Sequence, residues 1–307
     1  MIVRPRPRLW ELFFIWKGSI IPQILPQVLF ATALATAVTL VAELAGPAFP
    51  DFATGPFTFL GLSLSLFLGF RNNACYDRWW EARKLYGGLL IVMRNLARET
   101  QILDGQSPGP SPRRKRVLEL AIAFTQTLTA KLRDRPINEV ASACLNAPDL
   151  ARACQSHNIP DGILGLITAE LLAARRDGTL DSVTYSGLAA QVNLMAHAQG
   201  CCERLRATPL PFAYTLLLHR TAHLFCGLIP FGMVHGLGFA TPLMTAIVAY
   251  TFFGLDALGD QLEEPFGLEQ NDLPLDAMTR SIEIDLAAAA GHHPLPEPLQ
   301  PRDYLLL

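Results

Sequence analysis

Long apolar stretches that are almost free of charge limit what this chain can fold into more than any other feature. They lie at residues 24–44, 56–70, 209–231 and 240–258. A helix of about 20 apolar residues spans the hydrocarbon core of a bilayer. Only 17% of the 307 residues are charged, where soluble domains average about 25%. The sequence therefore predicts a polytopic membrane protein with four transmembrane helices per subunit. The second stretch is short, so its helix is expected to continue beyond residue 70.

Lysine and arginine residues indicate how these segments are oriented. The short connections at 45–55 and 232–239 contain neither residue, whereas the N-terminal segment, residues 71–208 and the C-terminal segment contain many. Cytoplasmic loops of membrane proteins carry an excess of Lys and Arg. Both termini and the 71–208 region are therefore predicted to be cytoplasmic.

The predicted organisation has five parts. Residues 1–23 form an N-terminal interfacial segment, 24–70 the first two spans, 71–208 a cytoplasmic helical region, 209–258 the last two spans, and 259–307 a cytoplasmic C-terminal segment. The interfacial segment is predicted from its aromatic residues, Trp10, Phe13, Phe14 and Trp16. Apolar periodicity in the cytoplasmic region predicts helices at 78–98, 114–133, 163–176 and 188–206. No alternating strand pattern is evident, so the fold class is predicted to be all-α.

The second stretch, GLSLSLFLGF at 61–70, carries two kinds of residue at helical spacing. Gly61, Ser65 and Gly69 form a small-residue stripe, which lets helix backbones approach closely in a membrane. Leu62, Leu66 and Phe70 form an apolar stripe beside it. In a ring of identical helices the small stripe would contact a neighbour and the apolar stripe would form a hydrophobic constriction. The alternative is ordinary helix packing with leucines that face lipid.

The segment that follows, RNNACYDRWWEARKLYGG at 71–88, combines charged and aromatic residues. Its charges predict a wet cytoplasmic entrance to the constriction, although its tryptophans and tyrosine favour a packed junction. The candidate junction residues are Arg71, Asn72, Asn73, Tyr76, Asp77, Arg78, Trp79, Trp80, Glu81 and Arg83.

Charged and histidine residues in the later spans suggest two further contacts. His219 and His223 lie four residues apart, where they could bind a metal, but hydrogen bonding within the helix bundle is the preferred interpretation. Arg220 is expected to pair with Asp256 or Asp260, because an unpaired charge in a membrane is costly. The same acidic stretch could equally supply a negative field at the cytoplasmic mouth.

Other functional classes lack support in the sequence. No catalytic motif is found, so the chain is predicted not to be an enzyme, and no cofactor is expected. No basic run interleaved with aromatics suggests nucleic acid as a partner. The six cysteines show no CxxC spacing and are expected to be reduced thiols. A non-conducting membrane scaffold or assembly protein remains an alternative.

Three runs of sequence closely resemble the bacterial branch of the bestrophin family. They are FLGFRNNACYDRWWEARKLYG at 67–87, TPLPFAYTLLLHRTAHLFC at 208–226 and LEEPFGLEQNDLPLD at 262–276. The resemblance implies a ring-shaped homopentamer in the bacterial inner membrane with one central pathway for small monovalent ions. The family name implies chloride or other anions; sodium and potassium are the alternative for the bacterial branch.

Residue roles follow from the resemblance one position at a time. Leu62, Leu66 and Phe70 match three rings of a membrane neck. Leu180 matches a second, cytoplasmic aperture, and its own context shows no obvious core for it to join. Glu269 and Asp272 lie in a segment that resembles a calcium-binding clasp. That clasp lacks several of its acidic residues here, so a capped turn, with Asn271 or Asp272 starting the next helix, is the preferred interpretation.

Overall fold

The computed structural model describes residues 1–5, 7–12, 14–106 and 108–307. Phe13, predicted to belong to the interfacial segment, lies outside these residues. The regular structure is helical, and the only strand-like pairings among the described residues are two isolated bridges near the chain ends. The predicted all-α fold is confirmed. The helices are α1 Leu9–Leu12, α2 Ile21–Ala45, α3 Thr54–Glu99, α4 Pro112–Leu132, α5 Ile137–Cys144, α6 Ala147–Ala153, α7 Ile159–Arg176, α8 Ser182–Ala207, α9 Phe212–Leu237, α10 Thr241–Glu263 and α11 Leu275–Ala289.

The chain divides into two compact units. The apolar unit consists of Arg4–Trp79 and Pro209–Pro265, and the polar unit of Met1–Val3, Trp80–Thr208 and Phe266–Leu307. Residues 71–79, which the sequence assigned to the cytoplasmic region, fold with the apolar unit. Helix α3 is continuous over 46 residues and contributes to both.

Each of the four apolar stretches forms helix. The stretches at 24–44, 209–231 and 240–258 correspond to α2, α9 and α10, and the short stretch at 56–70 is the first part of α3. Helix α9 continues through Pro230 to Leu237, beyond its predicted end. The predicted helices of the 71–208 region are also present, as the end of α3 and as α4, α7 and α8. Helices α5 and α6 were missed because eight and seven residues are too few for a clear period.

The apolar unit has apolar residues on its surface as well as in its core. Leu64 and Leu68 of α3 pack in a core with Phe225 of α9 and Phe252 of α10. The outward faces of α2, α9 and α10 are apolar too, and carry exposed phenylalanines and leucines. Segments Ile21–Ala48 and Phe212–Glu263 are long and apolar enough to cross a membrane. An apolar exterior with internally paired backbone groups is what a bilayer requires.

The polar unit is held together by buried polar contacts. Tyr86 of α3, Thr129 of α4 and Thr279 of α11 form a closed triangle of hydroxyl groups, with 2.8 Å between Tyr86 and Thr279 and 2.7 Å between the two threonines. Burial raises the pKa of Tyr86 to about 12, so its hydroxyl stays protonated. Arg116 of α4 also binds Asp149 of α6 at 2.8 Å. These contacts fix α4 against the helices around it.

Candidate functional site

The exposed face of α3 carries the residues predicted to form the neck. Leu62, Leu66 and Phe70 are 68%, 55% and 56% exposed. On the opposite face, Leu64 and Leu68 are buried in the core of the apolar unit. Helix α3 therefore buries one set of large apolar residues within its own chain and leaves the other set exposed. A contiguous exposed apolar face of this kind marks a contact or binding surface.

The small residues of α3 do not all have the same surroundings. Gly61 lies directly against Phe225 of α9, and a Cβ atom at Gly61 would come within 2.9 Å of the phenyl ring. Ser65 is exposed, and a Cβ atom at Gly69 would meet nothing within 4 Å. The prediction that the whole stripe contacts a neighbouring helix is thus wrong for Gly61, which packs within its own chain. Ser65 and Gly69 remain open.

Arg71 is the most deeply buried charge of the apolar unit, with its side chain 0% exposed. Its guanidinium donates to the Asp256 carboxylate at 2.8 Å and to the Asp256 backbone carbonyl at 3.3 Å. It also binds Asp260 and, at 3.4 Å, Glu263. Gly259 leaves room for this group, because a Cβ atom there would lie 3.2 Å from the arginine Nη1. One cation therefore ties α3 to three carboxylates of α10.

This arginine cluster corrects two predictions. Arg71 does not line a wet entrance, because it is enclosed by α10. Asp256 and Asp260 pair with Arg71 rather than with Arg220. The predicted hydrogen bonding of the two histidines is confirmed: His219 Nδ1 lies 2.6 Å from Asp256, and His223 Nδ1 lies 2.8 Å from the His219 carbonyl oxygen.

The other junction residues divide between contacts and exposure. Tyr76 stacks on Trp79 of the same helix with 6.2 Å between ring centroids, but Tyr76 is itself half exposed. Arg78 donates from Nε to the Glu263 carbonyl at 3.2 Å. Asn73 and Asp77 are exposed. The remaining residues are placed as follows: Asn72 donates to the Leu255 carbonyl, Glu81 pairs with Arg204 of α8, and Trp80 and Arg83 are exposed.

The turn between α7 and α8 buries Leu180 and exposes Val183. Leu180 donates its backbone N–H to the Ala174 carbonyl at 3.0 Å, and its residue surface is 3% exposed. The expectation that it lacks a core to join is wrong. Val183, in the first turn of α8, is 82% exposed. Asp181 begins that helix, since its carboxylate accepts hydrogen bonds from the backbone N–H groups of Val183 and Thr184; these bonds lower the pKa of Asp181.

The segment that resembles a calcium clasp forms a capped turn. The Asp272 carboxylate accepts a hydrogen bond from the Glu269 backbone N–H at 2.7 Å. Neither Asn271 nor Asp272 starts the next helix, since α11 begins at Leu275 after Pro274. Burial raises the pKa of Asp272 to about 6.

The donors in this segment do not fit calcium. Among the described residues, one oxygen of Asp272 has no hydrogen-bond partner, whereas calcium takes six to eight oxygen ligands. No group of three or more His, Cys, Asp or Glu residues suited to a metal is present in the described part of the chain.

The sequence contained a signal for the burial of Arg71 and a weaker signal for the exposure of Val183. Leu64, Leu68, Arg71 and Cys75 are spaced four, three and four residues apart, the repeat of a buried helix face. Arg71 thus lies in register with two core leucines. Val183 lies two residues after Asp181, and aspartate is a residue type that starts helices. The expected position of Val183 in the first turn of a helix was the only indication of its exposure.

Comparison with known proteins gives the class of protein. A voltage-dependent anion channel-forming protein of Mesorhizobium japonicum is 43% identical over 294 residues, which cover 96% of this chain and 94% of that protein. A voltage-dependent anion channel-forming protein of Escherichia coli K12, YneE, is 39% identical over 309 residues and 100% of both chains. The chain is a membrane protein of an ion-channel class.

The particular family follows from a family model and from solved structures. The Bacterial/Fungal Bestrophin protein family matches residues 1–288. The crystal structure of a bacterial bestrophin homologue from Klebsiella pneumoniae superimposes with a TM-score of 0.83 at 35% identity, covering 88% of this chain and 100% of that one. This chain belongs to the bacterial and fungal bestrophin family, which confirms the resemblance noted in its sequence.

Proposed function

We propose that the protein is a passive channel for small monovalent ions, with its neck formed by Leu62, Leu66 and Phe70. The exposed face of α3 is the observation that carries this proposal. These side chains stand on the side of the helix away from its own core. In a symmetric ring of α3 helices they face the axis, where an apolar constriction gates by dewetting.

The subunits form the ring by closing on themselves. We place five of them around the axis, as the family resemblance implies. Closed rings are the common outcome of repeated identical contacts. Ser65 and Gly69, which are exposed in the described part of the chain, are suited to contact the neighbouring helix. Helices α2, α9, α10 and the first part of α3 are the four spans of each subunit.

The membrane setting is a bacterial inner membrane with both termini in the cytoplasm. The distribution of Lys and Arg supports this orientation. Trp10, Phe14 and Trp16 are exposed in the N-terminal segment, where aromatic residues suit the interface between lipid and water.

The sign of the permeating ion depends on charges beside the neck. Arg71, which could have favoured anions, is buried against three carboxylates. Asp77 is the first charge beyond the neck that is exposed on the same face of α3. A ring of such carboxylates favours monovalent cations. Anion conduction, which the names of the relatives describe, is the second candidate.

The second aperture is formed by Val183 rather than Leu180. A narrow aperture needs an apolar side chain at a free surface. Leu180 is committed to packing inside its own chain, and Val183 is not.

A reversal potential measured across a planar bilayer tests the channel and its selectivity together. Under a tenfold salt gradient, we expect a shift toward the equilibrium potential of the cation. Asp77→Asn should reduce that shift, because it removes the exposed carboxylate and keeps the shape of the side chain. A shift of the reversal potential toward the equilibrium potential of the anion would show that the channel conducts anions instead.

Two leucine variants distinguish a channel from a scaffold. Leu66→Ala widens the apolar ring and should raise the single-channel conductance. Leu40→Ala removes an exposed leucine from α2 and should leave it unchanged. Absence of current from both the unmodified protein and Leu66→Ala would overturn the channel proposal and leave the membrane scaffold.

A further inference from the structure

Arg220 of α9 is an exposed cation that pairs with no residue in the described part of the chain. The acids expected to pair with it are bound to Arg71 and His219. No salt bridge or side-chain hydrogen bond of Arg220 is found among the described residues. It stands on the face of α9 opposite Leu218, Ala222 and Phe225, which are buried. A charge on the outer face of a membrane helix requires a counter-charge or water.

An apolar groove runs along the same face. It has a volume of about 360 Å³ and is bordered by α2, α9 and α10. His223 and Gly227 of α9 line it, three and seven residues after Arg220, and residues at this spacing share one face of a helix. Phe30 and Ala31 of α2 and Phe253 of α10 provide its apolar wall. Arg220 itself does not line the groove but lies about one helical turn before it, on the same face of α9.

The position of Arg220 along α9 matches the depth of lipid headgroups. Helix α9 has 26 residues, so it is about 39 Å long, roughly 9 Å more than the hydrocarbon core. Its far end turns directly into α10 through Gly238–Ala240, where Phe239 is exposed. The excess length therefore lies at the Phe212 end. Arg220 is about 12 Å from that end, and its long side chain reaches the phosphate layer.

We propose that this groove binds an anionic phospholipid, with the phosphate against Arg220 and an acyl chain between α2, α9 and α10. Charge complementarity selects the occupant. Basic pockets between membrane helices bind anionic headgroups, and the groove supplies the apolar surface that an acyl chain requires. The inference rests on the membrane location of these helices and not on ion conduction.

Native mass spectrometry of the purified full-length protein tests the site. Phosphatidylglycerol and phosphatidylcholine with identical acyl chains are supplied in mixed micelles, and retained lipid per subunit is counted. We expect the unmodified protein to prefer phosphatidylglycerol by about fivefold, the effect of one basic residue near a membrane surface. Arg220→Gln should abolish the preference while leaving phosphatidylcholine retention unchanged, and Arg220→Lys should restore it.

Two further variants separate the groove from the charge. Gly227→Leu should reduce retention of both lipids, because a side chain there meets no atom within 4 Å of its Cβ and fills the groove. Arg152→Gln, which removes an exposed arginine from α6, should bind lipid as the unmodified protein does. Equal retention of the two lipids, or a preference that survives Arg220→Gln, would overturn the proposal. Dissociation of the oligomer by Arg220→Gln with unchanged lipid preference would assign the arginine to a subunit contact instead.

Discussion

At the scale of single residues, Arg71 is the charge that the apolar unit buries most deeply. A buried charge is tolerated only when other groups compensate it, and removing one partner of a buried pair leaves the other uncompensated. Three carboxylates bind this guanidinium, although Asp256 also contacts His219 and Asp260 is partly exposed. Its planar group reaches several oxygens at once, which a lysine ammonium does not reproduce.

Arg71→Met is therefore expected to destabilise the protein by at least about 3 kcal/mol. Thermal unfolding of the detergent-solubilised protein would measure this as a large fall in Tm. Arg94→Met is the matched control, since Arg94 forms an exposed pair with Asp285 at 2.7 Å, and such pairs contribute about 0–1 kcal/mol. Equal Tm values for the two variants would contradict a structural role for the cluster.

Asp272 gives stability a pH dependence of unusual sign. Burial raises its pKa to about 6 from 3.8, although the Glu269 amide acts in the opposite direction. The unfolded chain therefore loses this proton at lower pH than the folded chain does. Stability should fall by up to about 3 kcal/mol as the pH rises from about 4 to 6, and then stay level.

Asp272→Asn removes that titration and keeps an oxygen that accepts from Glu269. We expect this variant to be more stable than the unmodified protein above pH 6 and similar to it near pH 4. Tm values measured across this pH range would show the difference, and parallel curves for the two proteins would contradict it.

At the scale of elements, long apolar stretches and the apolar period of the sequence predicted most of the fold. Helices α2 and α10 were expected close to their observed positions from their continuous apolar stretches, and α4 from its apolar period. The apolar period also indicated that Arg71 belongs to a buried face. Arg71 was nevertheless predicted to line a wet entrance, because charged residues are usually solvated. The prediction for Leu180, that it has no core to join, was wrong for a different reason. Its burial depends on the turn after α7 folding back to Ala174, and local sequence does not encode this tertiary contact.

The α7–α8 turn yields a paired prediction. Leu180→Ala should destabilise the protein by about 2–5 kcal/mol, because it empties a packed site. Val183→Thr should change stability by no more than about 0.5 kcal/mol, because this side chain is exposed. If Val183 lines the aperture, its added hydroxyl should raise conductance. Tm measures the change in stability, and single-channel recording measures the change in conductance. A change of conductance in Leu180→Ala but not in Val183→Thr would show that Leu180 forms the aperture.

At the scale of the whole molecule, the apolar outer surface of α3 requires a covering, either by lipid or by another subunit. An exposed face with Leu62, Leu66 and Phe70 would be unusual in a monomer outside a membrane. In lipid it could also remain uncovered, so only the assembly distinguishes a pore from a lipid-facing helix. The proposed pentamer makes the assembly five times the chain mass of 33.7 kDa.

Native mass spectrometry of the purified protein should therefore give one species at that mass. Ser65→Leu should shift it toward smaller species, because a bulky side chain would separate neighbouring α3 helices. Ser63→Leu, which changes another exposed serine of α3, is the control for added bulk on the helix. Subunits that remain monomeric before any substitution would exclude the ring.

The close contact between Gly61 and Phe225 restricts how this pair of positions evolves. A methyl group at residue 61 would press on the phenyl ring at 2.9 Å, so a larger residue there is compatible only with a smaller one at residue 225. The two positions should covary among homologues, with the sum of their side-chain volumes conserved. Ser65 and Gly69 are exposed among the described residues, and in the proposed ring their covariation should instead follow positions on the adjacent subunit.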